Sequence, residues 1–320
     1  SLRAFEVTTL TFVYIFFGTA FVWKSAQKLE KYSVLSASKY GMSPFLIGST
    51  VIAFGTSAPE MLTSLFAALD NKAVMVVGNV IGSNVANIAL VFGITLGVLF
   101  FKKEEFLAKP EISLNLIILI LSTLLICIIL NFDPFNLYSS ITLLAALFVV
   151  IVIWYKTNTG IEPQFERSEE KYLLLKLLLS LAFLVIGAWL ITKSALNILD
   201  TLGLGELFVG FTVLAIGTSL PEIVAALALA SKGRYEAVAG TLIGSNIFNG
   251  LFVLAIPGII GSSYSHNYEW NPSLVLLLFV TVVFCLYIFL RTKTPKRASL
   301  GICILLFISY FLSLLLVYLY

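Results

Sequence analysis

Long apolar runs separated by short polar joints fill this chain from end to end. A helix crosses the hydrocarbon core of a bilayer with about 17–25 predominantly apolar residues. Ten runs meet that requirement: Val7–Trp23, Pro44–Leu69, Ala73–Phe100, Ile112–Asn131, Leu137–Tyr155, Tyr172–Leu196, Leu207–Ala230, Ala237–Ile260, Ser273–Leu290 and Leu300–Leu319. The pattern predicts an all-α integral membrane protein with ten transmembrane helices. The first run ends without a small-residue cleavage site and nine more follow it, so it reads as a span and not a signal peptide. Ser1 in place of an initiator methionine reads as a trimmed start.

Two of the runs carry the same interruption. The first reads S-T-V-I-A-F-G-T-S-A-P-E from Ser49 to Glu60, and the second F-T-V-L-A-I-G-T-S-L-P-E from Phe211 to Glu222. Each puts a proline, hydroxyls and a carboxylate at a depth where hydrocarbon favours none of them. A carboxylate there is costly, so it marks an ion or substrate pathway by default. The shift of 162 that carries Glu60 to Glu222 also carries Ser83 to Ser245 and Asn87 to Asn249. It lays G-N-V-I-G-S-N-V-A-N (from Gly78) over G-T-L-I-G-S-N-I-F-N (from Gly240), and spans four and five over nine and ten. Spans one and six match less well, because the stretch from Gly18 to Gly55 is seven residues longer than that from Gly187 to Gly217.

A repeat of half the chain predicts two copies of one five-helix unit, 1–157 and 158–320, forming one compact membrane domain. Five is odd, so the second copy enters the membrane from the opposite side and the repeats are inverted. In transporters built this way the substrate binds near the midplane, between the repeats. The join from Lys156 to Lys171 is short, polar and mixed in charge, and reads as a linker.

Composition agrees with this picture: 320 residues, 59% hydrophobic and 12% charged, with a mean hydropathy of +1.02, exclude an ordinary soluble domain. The net charge of +3 matters less than its placement. With Arg3, Lys72 and Lys193 on the face that holds both termini, the other seventeen of twenty Lys and Arg fall on the opposite face. Lys24, Lys28, Lys31 and Lys39 occupy its first loop. Basic loops stay cytoplasmic, which predicts that both termini lie on the non-cytoplasmic side. Cys127, Cys285 and Cys303 lie in apolar spans without metal-ligand spacing and read as apolar filler. His266 falls in a loop without a partner in sequence. There is no basic stripe with interleaved aromatics, so no nucleic-acid partner is expected, and no obligatory protein partner is evident.

The chemistry points to cations. Pro59 has no N–H to offer the Gly55 carbonyl, and distortion there frees neighbouring carbonyls such as those of Ala53 and Thr56. Freed carbonyls survive at this depth only against protein or a polar cavity. Glu60 follows Thr56 by four residues and shares its face. Span seven repeats the set with Ala215, Thr218, Ser219, Pro221 and Glu222. Ser83 with Asn87, and Ser245 with Asn249, add oxygens on two further helices. Gly78, Gly82, Gly240 and Gly244 allow those helices to approach closely. Thr50 and Thr212 read as bonding their own helix backbone, and Asn84 and Asn246 as helix-packing hydrogen bonders. Of seventeen acids, only Glu60 and Glu222 fall in the apolar core. Two such carboxylates repel, and either a proton or a cation must relieve them. A single Ca²⁺ with six to eight oxygen ligands fits, Na⁺ can use subsets of the same oxygens, and Mg²⁺ fits less well because it demands a stiff octahedron. No histidine or lysine lies mid-membrane to activate Ser57 or Ser219, so an enzyme is not expected.

These motifs, G-T-S-x-P-E followed by G-S-N-x-x-N and occurring twice, resemble the two alpha-repeats of the sodium/calcium exchanger family, within the cation/calcium antiporters. The likeness covers both repeats, and the short linker resembles prokaryotic members. It implies a secondary antiporter exchanging Na⁺ for Ca²⁺ by alternating access, extruding cytoplasmic Ca²⁺ from the plasma (inner) membrane of a prokaryote. Both ions are then substrates, the lipid bilayer is the surrounding partner, and no cofactor is needed. It further implies that Glu60 and Glu222 bind Ca²⁺ with the carbonyls of Thr56 and Thr218. Na⁺ sites then use Ser57, Ser83, Ser219 and Ser245 with the carbonyls of Ala53 and Ala215, and Asn87 and Asn249 line the centre. Asn249 stands where potassium-dependent members carry Asp, and Asn87 and Asn249 where proton-coupled members tend to carry Glu. A K⁺-dependent Na⁺/Ca²⁺ exchanger, a Ca²⁺/H⁺ exchanger and a cation channel are the alternatives. The family's behaviour leads to the expectation that spans one and six slide as a gating pair.

Overall fold

A computed structural model describes residues 2–39, 50, 53–102, 113–132, 134–157, 171–231, 233, 235–262, 270–290 and 296–319. Every regular element among them is helical. In chain order these are α1 (Leu2–Lys39), α2 (Ala53–Leu69), α3 (Ala73–Lys102), α4 (Ser113–Phe132), α5 (Leu137–Thr157) and α6 (Leu173–Leu202). There follow α7 (Glu206–Thr218), α8 (Leu220–Ser231), α9 (Tyr235–Leu251), α10 (Ile256–Ile260), α11 (Asn271–Leu290) and α12 (Lys296–Leu319). Seven spans among the described residues are long and apolar enough to cross a bilayer, and the bent pair α7–α8 makes an eighth. The first expected span lies on α1, whose apolar segment Leu10–Ser25 is shorter. The expected span Pro44–Leu69 is described at Thr50 and from Ala53 onward.

Polarity is inverted relative to a water-soluble fold. Phe16, Phe148 and Phe311 are each more than 60% exposed, whereas Ser, Thr and Asn side chains crowd the interior. Glu60 and Glu222 are the buried acids among the described residues, both at 0% exposure. Apolar surface turned outward suits a lipid solvent, which leaves the polar groups to find one another inside.

One expectation from the charge pattern is corrected. Lys24, Lys28, Lys31 and Lys39 do not sit in a loop, because α1 continues as helix through all of them. The stretch from Lys24 to Lys39 contains neither Gly nor Pro and is rich in Ala, Gln, Leu, Glu and Lys. Good helix formers carry the helix past its apolar stop. Likewise α6 runs on to Leu202, where Gly203 in the left-handed conformation ends it at φ 63°.

Packing pairs the halves reciprocally. α1 lies along α6; α2 packs on α9 and α3 on α7; α3 meets α12 and α9 meets α5; α4 packs on α11. Gly18 and Gly187 mark the α1–α6 crossing. A Cβ on Gly18 would come 3.1 Å from the Gly187 carbonyl, and one on Gly187 would come 2.9 Å from the Gly18 carbonyl. On α3, the Gly78 position abuts the Leu207 carbonyl, and a Cβ on Gly82 would lie 2.8 Å from the Ala215 Cβ. Gly210 returns the contact against the Met75 carbonyl. Backbones this close need glycine. Gly240 and Gly244 are buried on α9.

The two ends of the bundle are tied differently. At one, Asn71 closes α2 at φ 58°, with the Lys72 N–H bonded to the Ala67 carbonyl at 2.9 Å and the Asn71 N–H to the Ala68 carbonyl at 3.0 Å. This two-bond cap presents Lys72 Nζ to Glu206 Oε1 at 3.1 Å. Ser262 Oγ donates to the Ala68 carbonyl and Trp270 Nε1 to the Leu130 carbonyl at the same end. At the other, Tyr287 and Ser299 share a hydroxyl contact, and the Lys31 and Lys176 ammonium groups each lie 5.7 Å from the Tyr32 ring centre.

Candidate functional site

The two G-T-S-x-P-E motifs fold differently. Pro59 sits inside an unbroken α2, where Thr63 Oγ1 donates to the Pro59 carbonyl at 2.9 Å and the Glu60 carbonyl at 3.2 Å. Before Pro221 the helix stops: Ser219 has ψ 0°, and α7 and α8 meet at a 42° bend. A proline cannot complete the ladder to the residue four back, and here the break falls at Ser219. Glu222 thereby lies in the first turn of α8. Extra-wide π-helical turns flank the site, Ala86–Phe92 in α3 and Gly210–Leu214 in α7. Such turns commonly re-aim side chains at functional sites.

Around Glu60 the structure gathers oxygens from both halves. The hydroxyls of Thr218, Ser219 and Ser83 face its carboxylate, with Ser219 Oγ 3.5 Å from Oε1. Thr56 and Ser245 share a hydroxyl contact at 3.2 Å. Asn87 Nδ2 donates to Asn246 Oδ1 at 3.0 Å. Thr56, Ser57, Glu60, Ser83, Asn87, Thr218, Ser245 and Asn249 are wholly buried, and Ser219 is nearly so. α2, which carries Glu60, packs on α8, which carries Glu222.

Several of these oxygens are not spent on the protein. Ser57 Oγ, Glu60 Oε2, Asn87 Oδ1 and both side-chain polar atoms of Asn249 have no hydrogen-bond partner among the described residues. Buried polar groups are nearly always paired, so a cluster left over points to a ligand that oxygen can hold. Two carboxylates with hydroxyl and amide oxygens suit a hard cation. No cluster of three or more His, Cys, Asp or Glu occurs among the described residues, so a thiolate or imidazole site is not part of the arrangement.

The backbone carbonyls named from the sequence are partly engaged. The Ala53 carbonyl accepts from Thr56 Oγ1 at 3.3 Å. That of Ala215 accepts from the Ser219 N–H at 3.0 Å and from Thr218 Oγ1 at 3.4 Å. Thr212 bonds its own helix at the Phe208 carbonyl, as expected. One polar residue carries more than the sequence suggested. Asn79 Nδ2 reaches Ser64 Oγ at 2.8 Å, Thr63 Oγ1 at 3.3 Å and the Glu60 carbonyl at 3.4 Å. Its place four residues before Ser83, on the same helical face, was the available signal. The three cysteines are free thiols, and His266 lies outside the described residues.

The family model described as sodium/calcium exchanger protein matches residues 10–156 and again 172–319. The chain belongs to the sodium/calcium exchanger family. Among curated relatives, this family member is 29% identical to the inner membrane protein YrbG of Escherichia coli, over 94% of this chain and 97% of that one. It is 27% identical to the sodium/calcium exchanger MaX1 of Methanosarcina acetivorans, over 96% and 99%. Among solved structures, the sodium-calcium exchanger NCX_Mj of Methanococcus jannaschii, soaked with Na⁺ and Sr²⁺, superposes with a TM-score of 0.70 at 25% identity, covering 95% of this chain and 97% of that one. Two of these three, MaX1 and NCX_Mj, are sodium/calcium exchangers by name. The family member is thus a multi-pass membrane protein of prokaryotic type.

Proposed function

We propose that this chain is a secondary antiporter that exchanges Na⁺ for Ca²⁺ at a single site shared by two inverted five-helix repeats, 1–157 and 158–320. The observation that carries the reading is the meeting of Glu60 with hydroxyls from the other half, those of Thr218 and Ser219, in a buried cluster with oxygens left over. Glu60 and Glu222 bind Ca²⁺, with the carbonyls of Thr56 and Thr218. Ser57, Ser83, Ser219 and Ser245, with the carbonyls of Ala53 and Ala215, complete Na⁺ sites around the same two carboxylates, and Asn87 and Asn249 line the centre. Support for a ten-span inverted arrangement comes from the reciprocal packing of α2 on α9 and α3 on α7, and from the Gly18–Gly187 crossing.

Exchange follows from competition. Both ions require the same two acids, and a doubly charged cleft without a cation is costly to close off from water. The closed intermediate therefore forms only with cations bound, which couples inward Na⁺ to outward Ca²⁺. In this reading both termini face away from the cytoplasm of a prokaryotic inner membrane. α1 and α6 move together against the rest. Where several Na⁺ exchange for one Ca²⁺, each net charge responds to the membrane potential by about 2.3 kcal/mol per 100 mV.

Vesicles reconstituted with the chain and loaded with Na⁺ are expected to accumulate Ca²⁺ when diluted into Na⁺-free medium. Uptake driven equally by a K⁺ or pH gradient would favour the K⁺-dependent or proton-coupled alternative. Ca²⁺ flux without any counter-cation would favour a channel.

A further inference from the structure

At the lysine-rich end of α1, away from the ion site, a cavity of about 290 Å³ opens between α1 and α6. Its walls divide by chemistry. Lys24 and Lys28 from α1 and Lys176 from α6 converge on it, beside Ser25 and Ser180, whose hydroxyls donate to the Phe21 and Lys176 carbonyls of their own helices. Phe21 and Phe183, whose ring centroids lie 6.0 Å apart, form the apolar side. Phe183 is 49% exposed and Leu179 is 50% exposed, so that side opens onto the lipid-facing surface and not into the bundle. No acidic side chain lines the cavity among the described residues.

A general excess of lysines on one face accounts for their side of the membrane. It does not account for three of them, from two helices, meeting around one cavity that continues as an apolar groove. We propose that this cavity binds the headgroup of an anionic phospholipid, with an acyl chain along Phe21 and Phe183. The ammonium groups match a phosphodiester, basic pockets between membrane helices recognise such headgroups, and the aromatic side matches a hydrocarbon tail. A free phosphate would satisfy the lysines but leave the aromatic groove unused, so the lipid is the occupant. Because Lys24 and Lys28 stand on α1 and Lys176 on α6, the lipid bridges the pair of helices that cross at Gly18 and Gly187.

The test uses the full chain purified in detergent and examined by native mass spectrometry with phosphatidylglycerol or phosphatidylcholine added. Phosphatidylglycerol is expected to be retained at least about tenfold more strongly. That preference should fall to parity in Lys24→Gln/Lys28→Gln/Lys176→Gln and persist in the corresponding triple arginine variant, which keeps the charge should the glutamine variant fail to fold. Millimolar inorganic phosphate should leave the bound lipid in place. Parity in the wild type, a preference lost in the arginine variant or kept in the glutamine variant, or displacement by inorganic phosphate, which would mark a soluble-anion site, overturns the proposal.

Discussion

Asn84 and Asn246 stand 162 residues apart, and each donates its side-chain amide to the other's backbone carbonyl, at 3.1 Å and 3.4 Å. A contact in which residue i meets j and j meets i in the same way marks a local two-fold axis. The offset equals the sequence shift that carries Glu60 to Glu222. Asn246 Oδ1 also accepts from Asn87 Nδ2, which ties the pair to Asn87 in the candidate site.

Asn246→Leu removes the acceptor for Asn87 and the donor to the Asn84 carbonyl. Leaving buried polar groups unmatched costs about 1–3 kcal/mol each. A lower unfolding temperature in detergent, together with weakened Ca²⁺ uptake, is expected. A variant that keeps both at wild-type values would detach the asparagine pair from the site.

Glycine packing gives a prediction with an internal control. A methyl group at Gly210 runs into the Met75 backbone, and overpacking of this kind costs about 1–3 kcal/mol. Gly210→Ala should therefore lower the thermal midpoint. Gly301→Ala, at an exposed helical position with nothing within 4 Å, should be neutral or stabilising by up to about 1 kcal/mol. Thermal unfolding of the two side by side decides it.

Ser219 and Ser57 are equivalent in the repeat but not in the structure. Ser219 Oγ reaches Glu60, whereas Ser57 Oγ has no hydrogen-bond partner among the described residues. A hydrogen bond to a charged group contributes about 1.5–3 kcal/mol. Ser219→Ala should therefore raise the Ca²⁺ concentration for half-maximal uptake by about tenfold or more, beyond the effect of Ser57→Ala. Equal effects, read from uptake against Ca²⁺ concentration, would count against the Glu60 contact.

What could be read from the chain alone follows from which forces are local. Buried acids are rare in apolar runs, so Glu60 and Glu222 announced themselves, and the spacing of Gly78 and Gly82 gave the close helix approach. Thr212 and the asparagine pair were legible for the same reason: few polar groups, each needing a partner. The helical stretch from Lys24 to Lys39 was hidden because a hydropathy count registers where lipid ends, not where a helix does. The break at Ser219 was hidden more deeply. Nearly identical motifs give a continuous α2 around Pro59 and a divided α7–α8 before Pro221, so the neighbours, and not the motif, decide. Asn79 was visible as a polar residue, but its three partners lie on α2 and no local rule joins them.

The central claim is that one pair of acids serves both ions. Its most direct test is Na⁺-gradient-driven Ca²⁺ uptake into vesicles containing Glu60→Gln or Glu222→Gln, each verified as folded by size-exclusion chromatography and thermal unfolding. Both variants are predicted to fall to the uptake of protein-free vesicles. Wild-type uptake in either one would contradict the account.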